Sequence, residues 1–259
     1  MFSWAPAVIC LVFALLVQIG TNFANDYSDF IKGADREDRL GPRRAVASGL
    51  ILARTMARAT VLTFAAAFLA GLSLIPWGGW WLLPIGIASL VFGWAYTGGP
   101  YPLAYHGLGD VFVFVFFGLV AVGGTFFVMA RHIDGTVILA AVPVGLLATN
   151  ILVVNNYRDM ETDARAGKRT TVVRFGRGYA RAQYVGSWIV AFGLPLILAI
   201  IRQRPILALP VLAVPLALPL VRQLAHGTGG PALNALLGRT ARALFAFGVL
   251  WAAALALVR

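Results

Sequence analysis

The chain has 259 residues, of which 60% are hydrophobic and only 12% charged, with a formal net charge of +11. That balance excludes an ordinary soluble globular domain, and the basic excess lies in loops between apolar runs, so it reads as membrane topology and not as a nucleic-acid surface. The single cysteine, Cys10, excludes an internal disulfide and offers no metal-ligand spacing, which leaves packing as its expected role.

In chain order, apolar segments of membrane-crossing length are expected at roughly 4 to 25, 52 to 74, 79 to 96, 109 to 130, 136 to 156, 182 to 201, 205 to 222 and 240 to 258. The predicted fold is all-α, a polytopic membrane helical bundle of eight spans. Strands of a membrane barrel would instead alternate in units of about ten residues. Short linkers at 76–79, 131–135 and 202–205 make their neighbours antiparallel and packed. No linker is long enough to divide the chain, so residues 1–259 are expected to form one domain with two decorated loops, about 25–50 and 155–181. If the decorated loops share one side, Lys and Arg gather there and only Arg131, Arg202, Arg204 and Arg259 fall opposite. The positive-inside rule then puts the decorated loops in the cytoplasm and both termini outside. The first residues lack the basic start and small-residue cleavage site of a secretory signal.

The first loop opens on "NDYSD", Asn25 to Asp29, and the second on "NNYRD", Asn155 to Asp159. All Asp and Glu residues except Asp110 and Asp134 lie in or just after these pentapeptides. In each, Asn and Asp are spaced i, i+4, which puts both on one face of a continuing helix. Asp163 extends the second stripe by a turn, whereas the first has Gly33 there and its next acid is Asp35. Two oxygen-rich stripes suit a hard cation such as Mg²⁺, which takes carboxylate, amide and water oxygens together with substrate phosphates. Zinc is disfavoured because His106, His132 and His226 all lie elsewhere.

Basic residues follow each stripe: Lys32, Arg36, Arg39, Arg43 and Arg44 after the first, Arg165, Lys168 and Arg169 after the second. Carboxylates holding a metal, with cations beside them, form a diphosphate site. Its place under apolar helices implies a substrate with a charged head and a long hydrocarbon tail, for which a polyprenyl diphosphate fits. A solvated basic loop explains the charge, but not acids interleaved at matched helical spacing. A transporter would hold its ionisable residues near the bilayer midplane instead of at helix ends.

"NDYSD" and "DMETD" resemble the two aspartate-rich motifs of the UbiA superfamily of intramembrane aromatic prenyltransferases. "TNFANDYSDFIKGADREDRLGPRRAVASG", "YTGGPYPLAYHGLGDVFVFVFFG" and "NNYRDMETDARAGKRT" resemble its menaquinone-pathway branch, from about residue 15 to the C-terminus. The resemblance implies transfer of a polyprenyl group from its diphosphate to 1,4-dihydroxy-2-naphthoate, with loss of carbon dioxide and diphosphate, in a bacterial inner membrane. Another aromatic acceptor, such as 4-hydroxybenzoate, is the alternative. Family metal positions fall on Asn25, Asp26, Asp29, Asp159 and Asp163, with Asn155 beside them and Asp35 standing in where relatives have an acid at Gly33. Lys168 and Arg169 match the basic end of the second motif, and Lys32, Arg36 and Arg43 are the further diphosphate candidates. Asp110 or a nearby Tyr is expected to orient the acceptor or take its proton, with Asp110 and Tyr157 the candidates. Asp110 could equally be a helix cap. Family members usually have nine spans, so this chain is expected to lack the first.

Overall fold

The computed structural model describes residues 3–34 and 40–258. Helix α1 is Trp4–Ile31, α2 Ala53–Leu72, α3 the single turn Ile75–Gly78 and α4 Leu82–Ala95. After a 3₁₀ turn at Leu103–His106 come α5, Gly109–Val113, a π-helical stretch, Phe114–Val120, and α6, Ala121–Ala130, in one continuous rod. Then follow α7, Gly135–Arg165, α8, Thr171–Ile201, a 3₁₀ stretch Pro205–Ala213 leading into α9, Val214–Ala225, and α10, Ala232–Leu257.

Among the described residues, seven helices are long and apolar enough to cross a membrane. The remaining expected span, 79 to 96, is realised as α4, only 14 residues long. Its start is cut short at Gly79, which caps α3 with φ 76°, a left-handed conformation that costs glycine little. Several other helices outrun their apolar segments. α1 and α7 continue through both pentapeptides, α8 starts eleven residues before 182, and α10 starts eight before 240. A sequence segment ends for the bilayer at its first charged side chain, but the backbone ladder continues while i→i+4 bonds are available. Side-chain caps fix two starts: Asp134 accepts the Val137 N–H at 3.0 Å, and Thr170 accepts that of Val173 at 3.3 Å.

α7 is the central helix, touching α5, the π stretch, α6, α8 and α10. Leu147, Val153 and Val154 of α7 pack against Tyr184 and Trp188 of α8 and Phe247 of α10. Lipid gives no hydrophobic drive for helices to associate, so close approach and buried polar contacts carry much of the packing. Both occur here. A Cβ on Gly118 would lie 2.7 Å from the Gly145 Cα, so only two glycines permit the crossing of the π stretch with α7. Asn150 of α7 donates to the Tyr184 carbonyl at 3.1 Å, Tyr184 and Thr240 share a hydroxyl bond of 2.8 Å, and the Trp251 indole donates to the Ala140 carbonyl at 3.1 Å. α1 packs chiefly on α2 and α4, forming the other half of the bundle. The C-terminal ends of α1 and α7 and the N-terminal ends of α8 and α10 meet at one end of the molecule.

Candidate functional site

Because α1 remains helical through Ile31 and α7 through Arg165, both polar stripes are presented as rigid helix faces. They line one cavity of about 730 Å³. Asn25, Asp26 and Asp29 enter it from α1, Asn155, Asp159 and Asp163 from α7. Residues 155, 159 and 163 recur every four positions and so share a face. Arg43, Arg44 and Lys168 also line the cavity.

The two central carboxylates are each neutralised. Asp29, 1% exposed, accepts from Lys168 Nζ at 3.0 Å and from the Tyr105 hydroxyl at 3.2 Å, with Arg44 Nη2 at 3.8 Å. Asp159 is held in a fork by Arg158, whose Nε and Nη2 donate to its two oxygens at 2.8 and 2.6 Å. The same guanidinium donates to Asn155 Oδ1 at 2.8 Å and to Asn234 Oδ1 at 2.7 Å. Asn234 in turn donates to the Leu40 carbonyl at 2.9 Å. Buried charges at this density persist only when paired and hydrogen-bonded, and these are.

Asp26 is used differently. Its carboxylate oxygens accept the backbone N–H groups of Ala45 and Val46 at 3.0 and 3.2 Å, which anchors the loop that carries Arg43 and Arg44 into the cavity. Asn25 Oδ1 accepts from the Thr97 hydroxyl at 2.7 Å. Lys32 sits just outside the cavity lining, donating to the Thr97 carbonyl at 2.5 Å and lying 4.6 Å from the Tyr105 ring centroid. Burial pulls its ammonium pKa down, Asp29 pulls it back up, and Lys168 pushes it down again. Arg169 does not line the cavity; its backbone N–H donates to the Tyr105 carbonyl at 3.0 Å, tying the two loops together. Asp35 and Arg36 lie outside the described residues.

Neither Asp110 nor Tyr157 lines the cavity. Tyr157 lies two residues from Asn155 and Asp159, about 200° around α7. There its hydroxyl accepts from Arg181 at 2.9 Å and its ring faces Arg177 at 5.2 Å. Asp110 accepts from Thr171 at 2.7 Å and Gln183 at 3.0 Å, a junction between α5 and α8. Arg158, Asn234, Tyr105 and Thr97 are parts of the site that the sequence did not single out. Arg158 stands inside "NNYRD" itself, so its adjacency to Asp159 was the available signal.

Among the described residues no three His, Cys, Asp or Glu side chains converge into a metal-sized cluster. The donor chemistry nevertheless fits a hard divalent cation: Asn25, Asp29, Asn155, Asp159 and Asp163, which carry carboxylate and amide oxygens, line one cavity, with no sulfur or imidazole among the described residues of its walls.

A bundle of membrane-length helices with a cavity at one end lined by both acidic and basic side chains defines a polytopic membrane protein. The family is then plain. Residues 1–232 match the model of the UbiA prenyltransferase family, and the chain belongs to it. It is 40% identical over 253 residues to a protein of Mycobacterium tuberculosis named 1,4-dihydroxy-2-naphthoate octaprenyltransferase, covering 98% of this chain and 86% of that one. An Escherichia coli protein of the same name is 40% identical over 186 residues, covering 70% of this chain and 60% of that one. Among solved structures, a UbiA homolog from Aeropyrum pernix K1 in its apo form superposes with a TM-score of 0.73 at 16% identity, covering 98% of this chain and 90% of that one. A UbiA homolog from Archaeoglobus fulgidus bound to GPP and Mg²⁺ gives a TM-score of 0.62 at 16% identity, covering 97% of this chain and 89% of that one. At that identity the two structures speak for the fold.

Proposed function

We propose that this chain transfers a polyprenyl group from its diphosphate to 1,4-dihydroxy-2-naphthoate, releasing diphosphate and carbon dioxide and giving demethylmenaquinol, the reduced form of demethylmenaquinone. The observation that carries this reading is the 40% identity, over 98% of the chain, to the mycobacterial protein of that name. The reaction takes place at the cytoplasmic face of a bacterial inner membrane, a placement supported by the gathering of Lys and Arg in the loops that bear both motifs.

Asn25, Asp29, Asn155, Asp159 and Asp163 would hold Mg²⁺, and Asp26 would serve through the loop it anchors. Bound Mg²⁺ supplies positive charge that stabilises the departing diphosphate. Lys168, Arg43 and Arg44 are within the same cavity to take the remaining phosphate oxygens, as charge-assisted donors. The C–O bond to diphosphate breaks and its electron pair leaves with diphosphate, a ring carbon of the naphthoate bonds to the allylic carbon, and the bond from the ring to the carboxylate breaks to release carbon dioxide, its electron pair restoring the aromatic ring; the apolar helices keep water from the electron-poor carbon. The test is mass spectrometry of products from purified protein in detergent, given Mg²⁺, a polyprenyl diphosphate and the naphthoate. Demethylmenaquinol, read as demethylmenaquinone after oxidation by air, is the expected product. Turnover of 4-hydroxybenzoate with none of the naphthoate would move the chain to another acceptor.

A further inference from the structure

Next to the polar cavity lies a second, apolar one of about 150 Å³, walled by α1, α4 and the π–α6 rod. Gln18 and Phe117 line both cavities, so they stand at the throat where the two meet. Gln18 also continues the first motif along α1. Gln18, Asn22, Asn25 and Asp29 are spaced four, three and four residues apart, hold one helix face and all line the polar cavity.

Asn25 and Asp29 are partnered, by Thr97 and by Lys168 and Tyr105. The side-chain carbonyl oxygen of Gln18 is buried and accepts no hydrogen bond. A buried acceptor without a donor is costly and rare, and a ligand that brings a donor removes the cost. This step rests on the transfer reading above, which supplies two organic substrates of opposite hydrogen-bonding character. A polyprenyl diphosphate carries phosphate oxygens and hydrocarbon and has no donor. The aromatic acceptor carries hydroxyl donors.

We propose that Gln18 accepts a hydrogen bond from a ring hydroxyl of the aromatic acceptor and so fixes that ring at the throat, against Phe117. The π-helical turn places Phe117 there, 46% exposed and lining both cavities, where its ring can meet that of the acceptor. Hydrogen-bond acceptance draws the hydroxyl proton toward the amide without transfer and leaves the aromatic ring more electron-rich at the carbon that attacks. The amide takes no proton, and the bonds made and broken are those already given for the transfer.

The test measures binding and turnover separately, in detergent, on wild type, Gln18→Met and Gln18→Leu; the first preserves shape, and the second guards against a local packing fault. Calorimetric titration with 1,4-dihydroxy-2-naphthoate is expected to weaken about tenfold or more in both variants, while affinity for a non-hydrolysable polyprenyl thiodiphosphate stays within about twofold. Wild type is expected to prefer the diol over at least one of 1-hydroxy- and 4-hydroxy-2-naphthoate, and the variants are expected to lose that preference. Unchanged naphthoate affinity in a folded variant, or a loss confined to the thiodiphosphate, overturns the assignment. Because binding is read without catalysis, absence of demethylmenaquinone from wild type would sink the transfer reading and still leave the Gln18 result legible.

Discussion

At the scale of single residues, the two acids of the first pentapeptide separate into different roles. Asp29 is buried among cations in the cavity, whereas Asp26 spends its oxygens on the backbone of Ala45 and Val46. Asp29→Asn is therefore expected to lower kcat by about a hundredfold or more, read as product formed at saturating substrate. Asp26→Asn, which keeps one acceptor oxygen and loses the other, is expected to raise KM for the prenyl diphosphate more than it lowers kcat and to expose the 40–50 loop to proteolysis. Tyr157→Phe removes only a hydroxyl that faces Arg181, so turnover within about twofold of wild type is expected, at a stability cost of about 1 kcal/mol. Arg158 is 3% exposed and holds Asp159, so Arg158→Met leaves a buried carboxylate uncompensated. A fall in detergent melting temperature corresponding to about 3 kcal/mol is expected, and an unchanged midpoint would show that Asp159 has another counterion.

Among the elements, the long helices and the stripes they present were readable from the chain, because i, i+4 spacing of Asn25 with Asp29 and of Asn155 with Asp159 has meaning only on a helix that continues. The helix ends were not readable from hydropathy. Charged side chains at the ends of α1 and α7 leave the bilayer without breaking the ladder. The split before α4 has its cause in Gly79, one glycine among 28 in the chain. The Arg158–Asn234–Leu40 bridge was hidden for a different reason: its members are 76 and 194 residues apart and share no spacing. The crossing of the π stretch with α7 makes a sharper element-level prediction. A Cβ at Gly145 would sit 2.8 Å from the Phe114 carbonyl oxygen, backbone that cannot swing away. Gly145→Ala is expected to destabilise the protein by about 1 to 3 kcal/mol, seen as a lower melting temperature, and to loosen Phe117 at the throat.

For the whole molecule, what matters is that the N-terminal half of the bundle, built on α1, and the C-terminal half, built on α7, α8 and α10, each contribute one incomplete set of oxygen donors to a shared cavity. Neither stripe alone presents enough donors for a hard cation, so the halves are expected to act as one unit. The most direct test is the rate of naphthoate prenylation, with Mg²⁺ saturating, in Asp29→Asn, Asp159→Asn and the double variant, with folding checked by thermal unfolding. One shared site predicts that each single substitution removes most of the activity and that the double variant is scarcely worse than either. Losses that multiply in the double variant, or a single variant at the wild-type rate, would contradict a common metal and diphosphate site formed by the two pentapeptides.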